Sequence, residues 1–162
     1  MDYEAKVKKA RNLVLKLLGY RARSIKEVRD YLERKGFNEE ITETIIDEMI
    51  GYGYLNDRRF AIDFINYRKE RGYGKKKVRY ELFIKGLDQR IIEELISKKF
   101  NREDDLSRIM HLLEKRNFGA KKSQLDRDEE YKLFQREASF LKRRGYQDDL
   151  ILYALKNYNI SE

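Results

Sequence analysis

Three times along this chain a leucine is followed four residues later by a glycine. Each glycine has a basic residue before it and a large apolar residue after it: Leu32…Lys35-Gly36-Phe37, Leu82…Lys85-Gly86-Leu87 and Leu141…Arg144-Gly145-Tyr146. A cation in a last helical turn meets the negative end of the helix dipole. A glycine just beyond can take the left-handed conformation that ends the helix. The next apolar residue can then fold back onto it. Downstream, the apolar sets Ile41/Ile45/Ile46/Met49, Ile91/Ile92/Leu95/Ile96 and Leu150/Ile151/Ala154/Leu155/Tyr158 recur at spacings of three, four and seven, one face of a helix. The chain contains no proline, so nothing breaks such helices strongly.

Each segment also has a leading helix. Leu13, Val14, Leu17 and Leu18 share their spacing with Phe60, Ala61, Phe64 and Ile65, and Ile109, Met110 and Leu113 repeat most of it. Ser24-Ile25-Lys26-Glu27 is a capping box for the helix whose buried stripe is Ile25, Val28 and Leu32. Asn38 and Asp88 read as N-caps, Gln147 as a poorer one, and Asp57 as the cap of the middle leading helix. The pattern predicts an all-α chain of nine helices in three tandem three-helix repeats, over 1–54, 55–100 and 101–162. Stacked repeats of this kind form an elongated, curved rod. The glycine intervals, 50 and 59 residues, match no fixed-period helical array. The third repeat carries a longer link, Arg116 to Asp126, which reads as a flexible joint.

Several function classes drop out on composition. There is no cysteine, hence no disulfide, thiolate catalysis or Cys-ligated metal. No apolar run approaches the roughly 20 residues that span a bilayer, and the N-terminal segment is amphipathic without the apolar core of a signal peptide. A cytoplasmic protein with no membrane contact is expected. The one histidine, His111, has no Ser/Asp or second His near it in the pattern and reads as a packing or surface residue. Asp104-Asp105 and Asp148-Asp149 read as helix-start acids. Gly72-Tyr73-Gly74-Lys75 superficially suggests a phosphate loop, but Lys69 stands where the first glycine belongs and Lys76 where Ser or Thr belongs. No cofactor, metal or catalytic residue is expected, and the chain does not read as an enzyme.

The charge is more informative. The net charge is +8, and the window from Arg58 to Arg90 holds eleven Lys/Arg against four Asp/Glu, a local excess of +7. A field of that sign attracts polyanions, although a solvated basic face is the plainer explanation. Within it, Arg68, Arg71, Lys75, Lys76, Lys77 and Arg79 crowd a link between two helices and the start of the second, among Tyr67, Tyr73 and Tyr80. Cations at a helix start oppose its dipole by a few tenths of a kcal/mol each. That cost is consistent with an anionic partner at the exposed N–H groups. Smaller clusters are Arg21/Arg23/Lys26, Lys121/Lys122 and Lys142/Arg143/Arg144. Nothing resembles a base-reading element, so sequence-tolerant contact with DNA phosphates is what these residues support.

The run Arg23 to Phe37, the segment Gly53-Tyr54-Leu55-Asn56-Asp57-Arg58-Arg59-Phe60-Ala61, the pieces Arg71 to Gly74 and Glu81 to Gly86, and the tail Phe140 to Tyr146 resemble, in order and spacing, the RecX family of regulators. The resemblance implies three three-helix repeats and a bacterial cytoplasmic monomer. It implies RecA recombinase and the RecA–DNA filament as partners, with strand exchange and ATPase modulated, mostly inhibited, in DNA repair and the SOS response. A stand-alone, sequence-nonspecific nucleic-acid-binding protein is the alternative.

Overall fold

A computed structural model describes residues 1–158. Ten α-helices, and no strands, are present among the described residues: α1 (Tyr3–Tyr20), α2 (Ile25–Arg34), α3 (Glu39–Gly51), α4 (Asp57–Glu70), α5 (Lys75–Ile84), α6 (Gln89–Lys99), α7 (Arg102–Lys115), α8 (Phe118–Lys122), α9 (Arg127–Arg143) and α10 (Asp148–Lys156). Nine of these follow the expected pattern, and α8 is additional. The chain divides into two compact units. One comprises Met1–Phe64 with Leu82–Ile92, the other Ile65–Glu81 with the chain from Glu93 onward.

In the first unit, α1, α2 and α3 bury Ala10, Val14, Val28, Leu32, Ile41, Ile45, Ile46, Met49 and Leu55. Ser24 and Glu27 form the expected capping box, and Asn38 caps α3 by accepting from Ile41 N–H at 3.0 Å. Each such cap contributes about 1 kcal/mol. Asp57 differs from its expected role. Asn56 caps α4, accepting from Arg59 N–H at 3.0 Å, while the Asp57 carboxylate reaches Ile25 N–H at 2.9 Å and satisfies the start of α2 instead. The end of α5 is seated at the same place. The Ser24 hydroxyl donates to the Lys85 carbonyl at 2.7 Å, and Gly86, in the left-handed region, lies so close that a Cβ there would meet the Lys26 side chain at 2.5 Å.

The second unit repeats the seat with different partners. Gly74 N–H donates to the Arg144 carbonyl at 2.8 Å and Lys76 N–H to the Gly145 carbonyl at 3.1 Å, so the glycine-ended α9 abuts the start of α5. A Cβ on Gly74 would lie 2.5 Å from the Gly145 oxygen, and one on Gly145 would lie 2.5 Å from Lys77 N. Tyr146, the apolar residue after the glycine, is buried and donates its hydroxyl to the Gly72 carbonyl at 2.8 Å. The core joins α7, α9 and α10 through Ile109, Leu113, Leu133, Leu141, Leu150, Ile151, Ala154 and Leu155.

The link from Arg116 to Asp126 is folded. Asn117 takes a positive φ of 56°, α8 follows, and Phe118, 1% exposed, packs edge-on against Tyr158 with centroids 5.2 Å apart. Burying that ring outweighs the polar character of its neighbours. Asp126 then opens α9 with a second capping box, to Glu129.

The seat makes two glycines unequal in an unexpected way. Gly36 has φ +85° but open space around it, whereas Gly74 has no positive φ and meets rigid backbone. Gly36→Ala is expected to cost about 1 kcal/mol, the left-handed penalty alone. Gly74→Ala is expected to cost roughly 2–3 kcal/mol through overpacking. Urea unfolding of both variants measures the order, and an equal or reversed order would contradict the seat.

Candidate functional site

The twelve cations singled out by sequence separate into those held by carboxylates and those facing outward. In the first unit, Arg21 forks onto Glu27 at 2.9 and 3.3 Å, Lys26 pairs with Asp30 at 2.6 Å, and Arg23 is half-buried with its Nε lacking a hydrogen-bond partner. Burial, reinforced by the neighbouring Arg21, lowers the Arg23 pKa. Lys85 also reaches Glu27, at 2.9 Å. Burial alone would raise the Glu27 pKa, but the hydrogen bonds from Arg21, Lys85 and Ser24 N–H hold it at about 2.

In the second unit the structure brings together residues some seventy positions apart. The Tyr73 ring carries the Arg68 guanidinium at 3.6 Å, Arg144 at 4.5 Å and the Lys77 ammonium at 5.5 Å. Arg68 is also forked onto Glu81, at 2.5 and 2.8 Å, and Arg144 donates to the Arg71 carbonyl at 2.6 Å. Arg71 lies over Tyr67 at 4.6 Å. Cation–π contacts contribute about 0.5–1 kcal/mol each at exposed sites, so this cluster is an organised basic face around one aromatic ring. Lys76 and Arg143 are exposed, Lys75 is partly exposed, and Lys142 lies 3.7 Å from Asp148.

Arg79 has a different setting. It forks onto Glu93 at 2.8 and 3.3 Å, and Arg29 forks onto Glu43 in the same way, at positions fifty residues earlier. The pair ties α5 to α6 as its counterpart ties α2 to α3. The helix-start N–H groups of Gly74 and Lys76 are likewise engaged by the α9 carbonyls. The negative end of the α9 dipole thus lies against Lys75, Lys76 and Lys77 and offsets the cost of placing them there.

Lys69, Arg108 and Lys115, not among the candidate cations, and His111, read as a packing or surface residue, line a cavity of about 290 Å³ with Arg71. Phe83 and Ile84 were not singled out either; with Tyr80, noted only among the tyrosines of the basic window, they are exposed on α5 at 62%, 54% and 63%. By the glycine register, α2 carries Asp30, Glu33 and Arg34 at those places and α9 carries Ser139, Lys142 and Arg143. That comparison could have flagged them, since the packing of these helices does not require apolar residues there. No group of His, Asp and Glu able to hold a metal is present among the described residues, and none of the described helices is long and apolar enough to cross a membrane.

Comparison with known proteins places this geometry among one set of relatives. Residues 10–49 match the first three-helix domain of RecX and residues 56–96 match the second. A regulatory protein RecX of Bacillus subtilis is 34% identical over 156 residues, covering 96% of this chain and 57% of that protein. One of Clostridium botulinum is 30% identical over 148 residues, covering 91% of this chain and 68% of that protein. One of Chlorobium phaeobacteroides is 41% identical over 91 residues, covering 56% of this chain and 60% of that protein. The chain therefore spans less than two thirds of several of the relatives it matches. The crystal structure of RecX from Lactobacillus salivarius superposes with a TM-score of 0.78 at 22% identity, over 94% of this chain and 96% of that one.

The Glu27 cluster gives a pH dependence. Its folded pKa of about 2 lies below the ordinary 4.5. Its stabilising effect is therefore present above about pH 5 and is lost as the pH falls through about 2. Glu27→Gln is expected to melt below wild type at neutral pH, with the gap closing in strong acid. Thermal unfolding of the two proteins across that range checks this, and a gap independent of pH would rule out the ion cluster as its source.

Proposed function

This chain belongs to the RecX family of regulatory proteins, and from that premise we propose that it binds RecA and RecA–DNA filaments and restrains their ATP hydrolysis and strand exchange. The observation that carries the reading is the basic face around Tyr73, where Arg68, Lys77 and Arg144 converge beside exposed Lys76 and Arg143. Cations on an aromatic platform suit a phosphate backbone and do not read bases. Exposed Tyr80, Phe83 and Ile84 favour a protein surface as a further part of the partner, because large apolar side chains in water commonly mark an interface. The two features together suit a nucleoprotein better than bare DNA.

In this reading the protein acts by occupancy in the cytoplasm. It lies on a filament, neutralises phosphates or acidic protein surfaces, and hinders the subunit motions that accompany ATP turnover. The three tandem repeats over 1–54, 55–100 and 101–162 would distribute contacts along the polymer. Arg21, Arg68 and Arg79, held by carboxylates, contribute shape more than free charge. Lys75, Lys76, Lys77, Lys142, Arg143 and Arg144 contribute the field.

With RecA on single-stranded DNA, wild-type protein is expected to lower ATP hydrolysis in a saturable way, and the Lys75/Lys76/Lys77 triple alanine variant is expected to need higher concentrations. Removing three phosphate-facing charges should also flatten the salt dependence of binding by about 2–3 in log–log slope. Unchanged ATP hydrolysis at saturating protein, with tight binding to DNA alone, would favour the stand-alone nucleic-acid-binding alternative.

A further inference from the structure

The cavity in the second unit is formed where the end of α4 faces α7. Its titratable lining is Lys69, Glu70 and Arg71 from one side and Arg108, His111 and Lys115 from the other, four permanent cations to one acid. The α7 contributors stand at spacings of three, four and seven and share one face of that helix.

Arg108 is the residue that needs explaining. In the burial register of the leading helices, where Val14, Ala61 and Ile109 are each fully buried, it occupies the place of Leu13 in α1 and Phe60 in α4, both apolar. Its side chain is only 19% exposed. One terminal nitrogen contacts Asp105, its guanidinium lies 5.5 Å from the Phe100 ring, and its Nε is buried without a hydrogen-bond partner. A buried, unsatisfied donor costs about 1–3 kcal/mol. Lys69 is half-buried beside Arg108, donating to the Lys99 carbonyl and lying 5.1 Å from the same ring, with Asp104 and Asp105 also acting on it. Burial, and then the charge of Arg108, lowers the Lys69 pKa. Two partly desolvated cations thus stand close together at the wall of a cavity large enough for a small polyatomic anion. Asp105 and the Tyr146 hydroxyl engage part of the Arg108 guanidinium, which also lines the cavity where the other leading helices carry an apolar side chain.

We propose that this cavity is a phosphate-binding pocket, with Arg108 and Lys69 at its base and Arg71 and Lys115 at its rim. A tetrahedral phosphate group offers several acceptor oxygens to donors arriving from different directions, which suits two guanidinium and two ammonium groups better than a single carboxylate would. The phosphate comes either from within a nucleic-acid backbone or from a terminal or free phosphate. For the first source the inference rests on the nucleic-acid part of the function proposed above; the pocket itself does not need RecA.

His111 is the single histidine of the chain and lines the pocket, so its ring signals in NMR report on this site alone. Inorganic phosphate, titrated against chloride at constant ionic strength, is expected to move those signals saturably. In Lys115→Ala, an exposed position, and in Arg108→Leu, which restores the residue type of the other leading helices, the response should weaken at least about tenfold. If Arg108→Leu does not fold, Lys115→Ala decides. Hexathymidylate with and without a terminal phosphate separates the sources: equal shifts assign a backbone phosphate, and a shift confined to the phosphorylated form assigns a terminal one. An equal response to chloride, no response to phosphate, or undiminished binding by folded Lys115→Ala overturns the pocket. Because RecA is absent from the experiment, a saturable phosphate shift in a protein that leaves RecA hydrolysis unchanged would sink the filament reading and leave the pocket standing.

Discussion

The carbonyl end of a glycine-terminated helix, set against the first turn of another helix, is the contact on which the other features depend. In the second unit the Arg144 and Gly145 carbonyls accept from Gly74 and Lys76, with no room for a Cβ on either glycine. In the first unit the Lys85 carbonyl accepts from the Ser24 hydroxyl, and Gly86 lies against Lys26. Helix ends leave unsatisfied carbonyls at one terminus and unsatisfied N–H groups at the other. In the second unit, joining them meets both deficits at once and sets the negative end of one helix against the positive end of another. This local electrostatic match explains how three consecutive lysines can begin α5, a placement that would weaken an isolated helix.

Charge in this chain serves architecture before it serves binding. Arg29 with Glu43 and Arg79 with Glu93 tie each second helix to its third at the same register. Arg21, Arg68 and Arg116, each just beyond or near the end of a leading helix, are held by Glu27, Glu81 and Glu137. The more exposed of these pairs add only about 0–1 kcal/mol each; the pair to buried Glu137 is a stricter constraint, since an unpaired carboxylate there would be costly. The cations left over, Lys76 and Arg143 among them, keep their field available to solvent. Fixed ions thus hold the helices, while the others leave a basic face open to water.

Asp57 and Asp105 illustrate how one place in the repeat can be reused. They stand at equivalent positions of α4 and α7, and burial raises the pKa of both carboxyls. Asp57 satisfies the first N–H of α2, whereas Asp105 faces Arg108. Ala10 is the equivalent in α1 and is fully buried. A shared scaffold thus leaves particular positions open to electrostatic tailoring, and the third leading helix has the most altered set.

The helices, their caps at Ser24 and Asn38, and the all-α class were legible in the sequence, because helix periodicity, capping and glycine termination are local effects within a few residues of chain. The clustering of +7 between Arg58 and Arg90 was legible for the same reason, being a count along the chain. The partners of the side chains were not. That Arg79 belongs to Glu93, that Asp57 serves α2 and not α4, that Phe118 folds a polar link into the core, and that Arg144 arrives beside Tyr73 are all decided by which surfaces meet in space. Charge–charge and hydrogen-bond energies fall off over a few ångströms, while the residues concerned lie up to seventy positions apart. Periodicity could therefore say that these helices form, and only packing could say which cations remain free to act.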